Sequence, residues 1–232
     1  MILRIQYRKN GMMKFLSHLD MVRLVERSLR RAQMPLKFSQ GYSPHPKIVF
    51  AAPLSVGLTS DYELVDIELT EEVDLEVFKT DFPKFFPNGI QIVRCQYLEA
   101  SKPLMSLVSD CAYAVKVAGI TPDLLVKFAK IAETIIDQDE LMITKKSKEK
   151  RKPDKEVNIR PMIKEFAVLD QNDEEVILRM KLASGSVANL KPEIIIGKIA
   201  EMGEFTIDPF DVRVHRVMLF GDEGKTELYV LN

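Results

Sequence analysis

The chain has 232 residues, 46% of them hydrophobic and 29% charged, which is enough apolar material for one large core or two of roughly 110 residues and too much for wholesale disorder. No apolar run approaches the roughly 20 residues of a membrane span, and Met1-Ile2-Leu3-Arg4 starts as an alternating strand rather than a signal peptide, so a cytoplasmic protein is expected. Two cysteines, Cys95 and Cys111, exclude a disulfide framework, a four-thiolate zinc site and a cysteine-ligated iron–sulfur cluster built by this chain alone, while the net charge of -1 hides segments of opposite sign.

Leu3, Ile5 and Tyr7 alternate with Arg4, Gln6 and Arg8, the period-2 pattern of a strand buried on one side. Ser17 followed by Asp20 reads as a helix N-cap with an acid at N3, and His18, Val22, Val25, Leu29 and Ala32 recur at helical spacing until Pro35. Strands are expected at Lys47 to Ala52 and around Val65 to Leu69, a helix at Val73 to Phe82, and a strand at Ile90 to Tyr97. The order strand, helix, strand, strand, helix, strand is that of the ferredoxin-like, split βαβ unit.

After a polar connection the pattern repeats. A strand is expected at Ala112 to Val117, then a helix capped by Thr121 with Pro122 in its first turn. Strands follow near Leu141, near Val157 to Leu169 and at Val176 to Leu182, with a helix from Pro192 to about Gly203. Val212 and Val214 open the last major strand, and Glu227 to Leu231 adds a short one. The expected fold class is therefore α+β, two tandem ferredoxin-like (split βαβ) modules whose antiparallel sheets carry helices on one face. The modules are placed at residues 1–100 and 110–232, joined by 101–109, the second with a basic hairpin loop at 145–156.

Charge is distributed unevenly along this frame. Residues 1–50 carry ten Lys and Arg against Asp20 and Glu26, whereas residues 51–100 carry three against ten acids. On a helical wheel Arg23, Arg27, Arg30 and Arg31 fall in one stripe opposite the apolar stripe. Guanidinium groups about one turn apart suit the phosphates of RNA, with affinity that is mainly sequence-independent and salt-sensitive; an acidic protein face fits equally well. Arg4 and Arg8 on the first strand and Lys47 extend the basic set. A second basic stretch, with Lys145, Lys146, Lys148, Lys150, Arg151, Lys152 and Arg160, reads as a loop that clamps a phosphate backbone or keeps the hairpin soluble. Ser184-Gly185-Ser186 ahead of Lys191-Pro192 offers backbone N–H groups and a lysine to a phosphate.

Three side chains could carry chemistry. His18 lies in the first helical turn, where the dipole favours a neutral imidazole able to act as a base. His45 lies in Gly41-Tyr42-Ser43-Pro44-His45-Pro46, a loop stiffened by two prolines. If that loop folds over the helix start, the two form an acid/base pair for a metal-independent endoribonuclease, or with Asp20 a mixed nitrogen and oxygen metal site; no spacing demands a metal, and none is expected. The competing reading is of hydrogen-bonded structural histidines. His215, alternating with Arg213, reads as sheet-face filler. Walker, dinucleotide-binding, nucleophile-elbow and HExxH motifs are all missing, as are outward aromatics on the first strand.

The stretches Lys14-Phe15-Leu16-Ser17-His18-Leu19-Asp20 and Gly41-Tyr42-Ser43-Pro44-His45-Pro46-Lys47-Ile48 to Pro53-Leu54-Ser55-Val56-Gly57, with the arginine-rich helix between, resemble a family of uncharacterised bacterial proteins, the radical-SAM-linked domain of unknown function. The resemblance is specific through residue 70 and continues more loosely through Asn158-Ile159-Arg160-Pro161 and Asn189-Leu190-Lys191-Pro192. Family members look like stand-alone proteins encoded beside a radical SAM protein, or the C-terminal part of a fusion with one. The resemblance implies no cofactor held by this chain and a radical SAM protein as partner, which supplies the iron–sulfur chemistry. The family's gene neighbourhoods, often near ribonuclease and ribosomal-protein genes, point towards RNA. Paired ferredoxin-like modules are also similar to the RNA-processing proteins of CRISPR systems, whose C-terminal glycine-rich loop this sequence lacks. The expected function is an RNA-binding accessory subunit for tRNA or rRNA modification or processing; an endoribonuclease and a module that docks on the partner protein are the alternatives.

Overall fold

The computed structural model describes residues 1–100, 102–145, 153–185 and 188–231. In chain order the elements are β1 (Ile2–Lys9), α1 (His18–Arg31), β2 (Ile48–Phe50), β3 (Thr59–Glu68), α2 (Leu75–Asp81), β4 (Ile90–Leu98), the single turn α3 (Leu104–Leu107), β5 (Asp110–Ala118), α4 (Pro122–Thr134), β6 (Met142–Lys145), β7 (Lys155–Asn158), β8 (Ile163–Gln171), β9 (Glu175–Ala183), α5 (Pro192–Met202), β10 (Val212–Gly221) and β11 (Thr226–Glu227). The protein is mixed α+β, its strands mostly antiparallel. Contacts divide it into two units, Met1–Asp110 with His215–Asn232, and Cys111–Val214. No helix among the described residues is long and apolar enough to cross a membrane.

In the first unit β1 pairs antiparallel with β3 on one side and β4 on the other, and β3 also takes β2 antiparallel and His215 and Arg216 of β10 in parallel. Leu3, Ile5 and Tyr7 of β1 point to a core that Met21, Val25 and Leu29 of α1 and Phe78 of α2 complete. α1 forms where expected because its cap is local: Ser17 Oγ accepts from the Asp20 N–H at 3.3 Å and donates to Asp20 Oδ2 at 2.7 Å. Its deepest stripe is Met21, Val25, Ser28 and Leu29, and Ser28 is satisfied by donating to the Phe85 carbonyl.

The other face of this sheet differs from expectation. One-sided burial predicts that Arg4 and Gln6 meet water, yet β1 is buried on both sides. The C-terminal segment of the same unit covers the face. Tyr62 Oη donates to Glu227 at 2.7 Å and accepts from the Tyr229 N–H at 3.0 Å, Gln96 donates to the Tyr229 carbonyl, and Arg94 pairs with Glu227 while its guanidinium lies 3.8 Å from the Tyr229 ring centroid. The covered polar groups therefore exchange water for protein partners, which is what makes their burial tolerable.

In the second unit β9 lies between β5 and β8, and β6 with β7 forms a separate two-stranded sheet. Cys111, Tyr113, Val115 and Val117 of β5 and Val176, Leu178, Met180 and Leu182 of β9 supply alternating buried residues. Leu125, Phe128 and Ala129 of α4 and Ile195, Ile196 and Ile199 of α5 add the helical side of the core. The single strand expected from Val157 to Leu169 is two, β7 and β8, because Pro161 sits in a 3-10 turn at Arg160–Met162. Thr121 precedes α4 but its side chain makes no cap bond.

Candidate nucleic-acid interface

The outer face of α1 carries the expected cations. Arg23, Arg27, Arg30 and Arg31 are all exposed, since the buried stripe at 21, 25, 28 and 29 turns these positions outward. The Arg23 side chain is 71% exposed and lies 3.7 Å from Asp20, an open pairing of little strength. Arg27 donates to the Arg23 carbonyl at 3.3 Å. Arg30 holds Glu26 through Nε and Nη2 at 3.0 and 2.9 Å, and its guanidinium lies 5.2 Å from the Phe38 ring centroid. Arg31 lies over Phe85 at 5.7 Å.

Phe38 links the helix to the loop beyond it. Phe38 bridges to Pro46, Ser39 N–H donates to the His45 carbonyl at 2.9 Å, and the Lys47 N–H donates to the Lys37 carbonyl at 3.0 Å. Lys37 and Lys47 reach Glu68 at 3.1 and 3.3 Å. Burial raises the pKa of the Glu68 carboxyl, but hydrogen bonds from the two lysines outweigh it and hold the group below its ordinary value. Lys37, absent from the expected basic set, shares its counter-ion with Lys47. The surface formed by α1 and this loop thus presents Arg23, Arg27, Arg30, Arg31, Lys37 and Lys47, with Asp20, Glu26 and Glu68 as their nearby carboxylates.

Other expected cations have different work. Arg4 is 0% exposed; Nε and Nη2 hold Asp66 at 2.8 and 2.9 Å, and Nη1 donates to the Tyr229 and Leu231 carbonyls. It cannot meet a phosphate, because the sheet face that bears it is covered. Arg160 is likewise engaged, donating to the carbonyls of Ile136, Gln138 and Ile163. Arg8 is half-exposed and lies 3.5 Å from Asp61. Lys145 ends β6 opposite Lys155, and Lys191 is exposed at the start of α5. Lys146, Lys148, Lys150, Arg151 and Lys152, like Ser186 of the glycine-containing turn, lie outside the described residues.

The two histidines of the expected acid/base pair have separate partners. His18 is half-buried and meets Phe50 edge-on, ring centroids 5.4 Å apart. His45 is exposed, its Nδ1 hydrogen-bonded to Ser39 Oγ at 3.0 Å, and its own N–H also donates to that hydroxyl. Among the described residues no hydrogen bond, ion pair or ring contact joins His18, His45 and Asp20 to one another, and no group of three His, Cys, Asp or Glu is placed to hold a metal. The carboxylate of Asp20 is occupied in capping α1. His215 is more connected than sheet filler: Nδ1 lies 2.8 Å from Thr59 Oγ1 and Nε2 3.2 Å from Asp61.

Sequence reasoning also passed over Tyr42. Its side chain stands fully in solvent, at 105% of the reference exposure. The signal was present in the sequence, since an aromatic between Gly41 and Ser43 sits in no hydrophobic period that would bury it.

Residues 3–192 match a family described as an uncharacterized protein conserved in bacteria, DUF2344. The chain belongs to the DUF2344 family. The expected membership of an uncharacterised bacterial family is borne out at that level. Among curated proteins none matches the chain. Two solved structures are similar to the chain. One, titled a crystal structure of a Cbf5-Nop10-Gar1 complex, has a TM-score of 0.52 at 10% identity, covering 95% of this chain and 50% of that one. The other, titled the archaeal box H/ACA sRNP Nop10-Cbf5 complex, has a TM-score of 0.47 at 11% identity, covering 97% and 49%. This DUF2344 chain spans about half the length of the chains it matches, and at such identity the first likeness concerns the fold alone.

Proposed function

We propose that this DUF2344 protein is an RNA-binding accessory subunit that presents tRNA or rRNA to a radical SAM enzyme for modification or processing in the cytoplasm. The observation that carries the RNA part is the α1 face, where Arg23 and Arg27 stand exposed and, among the described residues, the one ion pair they make is the long Arg23–Asp20 contact. The amphipathic pattern of α1 accounts for the exposure of these residues, and a phosphate backbone offers guanidinium groups one turn apart a row of partners. The partnership rests on the sequence resemblance through Lys14–Asp20 and Gly41–Gly57. It agrees with a chain whose two cysteines are both buried, since radical chemistry then needs its iron–sulfur cluster from another subunit. We read the units as tandem ferredoxin-like modules; the neighbour order β4-β1-β3-β2 in the first unit supports that reading.

Binding of total tRNA measured across a salt titration tests the proposal. Log affinity is expected to fall linearly with log salt, and to fall further when Arg27 is changed to Glu. No binding, or a response flat in salt, removes RNA as the ligand. Co-purification of a co-expressed radical SAM protein that survives nuclease and is lost in Arg27→Glu, in a chain that binds no tRNA, moves the same cations to an acidic protein face.

A further inference from the structure

The loop beside the arginine face has a property that a merely solvated loop does not need: it is stiff and it holds an aromatic ring out in water. Pro44 and Pro46 fix two φ angles, and Gly41 takes φ +125°, a conformation that favours glycine. Ser39 Oγ accepts from the His45 N–H at 3.1 Å and meets its Nδ1 at 3.0 Å, and Ser39 N–H donates to the His45 carbonyl. The Phe38–Pro46 bridge closes the loop at its base, and Arg30 over the Phe38 ring ties that base to α1. Tyr42, at the tip, has both ring faces uncovered.

We propose that this loop is a stacking platform for an unpaired nucleobase, Tyr42 supplying the ring while the α1 arginines hold the flanking phosphates. The substrate class of the interface is then a single-stranded or looped RNA segment, not a duplex. The proposal rests on the RNA reading above and narrows it. Three physical points carry it. A fully exposed ring gains apolar contact only when something planar covers it, and every base has a planar face to offer. The loop is already ordered by its prolines and the Ser39–His45 bonds, so binding costs little conformational entropy. Bases inside an A-form helix are stacked on one another and have no free face, so the platform is useless to a duplex and useful to a loop or an end.

The test uses the full chain, with a short oligoadenylate and an RNA duplex of equal length as probes, and with Tyr42→Ala, Tyr42→Phe and Arg27→Glu as variants. The oligoadenylate is expected to bind more tightly than the duplex. Tyr42→Ala should lower its affinity roughly 5- to 150-fold, the range for one lost aromatic stack, with the salt slope unchanged. Tyr42→Phe should stay within about twofold, because the ring and not the hydroxyl does the stacking. Arg27→Glu should weaken both probes and flatten the slope. Oligoadenylate binding by Tyr42→Ala equal to that of the unaltered chain, or a preference for duplex, overturns the platform while leaving RNA binding in place. Failure of the unaltered chain to bind either probe overturns the RNA reading and the platform with it.

Discussion

The outer face of α1 and the covered face of β1 each present arginines, and the contrast between them shows that a guanidinium's role is set by what lies on its other side. Arg23 and Arg27 have water on that side and keep their charge available. Arg4 has the C-terminal segment there, and meets a carboxylate and two backbone carbonyls. Arg216 follows Arg4: it holds Glu63 at 2.9 Å and donates to the carbonyls of Ala52 and Pro53, with both charged side chains nearly buried. Buried pairs of this kind are a poor source of net stability but a severe liability when broken, because the remaining charge cannot return to water.

The largest effect is therefore expected on the covered face. Arg4→Ala leaves Asp66 buried without its counter-ion and should cost about 3–5 kcal/mol in urea unfolding. The double variant Arg4→Met, Asp66→Leu sharpens the point, since it should recover most of that loss; a double variant as unstable as the single one would mean that the pair itself, and not the orphaned charge, sustains the fold.

Tyr62→Phe comes next. It removes the hydrogen bond to Glu227 and the acceptor for the Tyr229 N–H, and should cost about 1–2 kcal/mol near neutral pH. It should also change the alkaline limb of the stability curve. Burial pushes the Tyr62 phenol up to about 12 against the opposing pull of the Tyr229 N–H, Arg94 and Arg4, from an ordinary 10.0. Below pH 10 both folded and unfolded chains keep this proton and the contribution is complete; as pH rises towards 12 only the unfolded chain releases it, and stability falls. That part of the fall should be missing in the variant, as an unfolding series over this window will read.

Glu68→Gln is expected to do less, below about 1 kcal/mol, because the carboxylate is only partly buried and its lysine pairs are screened. Since the folded pKa is depressed, the contribution is present above the ordinary 4.5 and lost as pH falls through the folded value. The same change frees Lys37 and Lys47, so tRNA binding should tighten, while stability near neutral pH drops slightly and the share of the acid fall due to Glu68 disappears. Arg27→Glu closes the series with no measurable change in the melting temperature and a clear loss of tRNA affinity. A melting temperature that drops as far as in Arg4→Ala would erase the distinction between the two faces.

How far the sequence could be read depended on the range of the interactions involved. α1 was legible because Ser17, Asp20 and the apolar stripe lie within a few residues of one another. The β9 alternation was legible for the same reason. The start of β3 at Thr59 was not, since Thr59 and Ser60 carry little hydrophobic signal and are placed in a strand by the pairing of Ser60 with Lys9 and by the parallel approach of His215 and Arg216. The exposed arginine stripe was correctly anticipated in direction, while Arg4 and Arg160 looked the same in sequence and turned out to be engaged by backbone carbonyls, Arg4 fully buried and Arg160 partly. Nothing near Arg4 along the chain announces Asp66 or Tyr229, which come 62 and 225 residues later.

By itself the sequence determined the helices, the alternating strands, the family to which the chain belongs and the segregation of positive charge into the opening segment, because each depends on neighbours a turn or two away. Only the tertiary structure decided which cations stay free, that His18 and His45 are engaged with different partners, and that Tyr42 stands alone in water. Those outcomes depend on which distant segment comes to cover a given face, and burial is a property of the folded chain that no local pattern encodes.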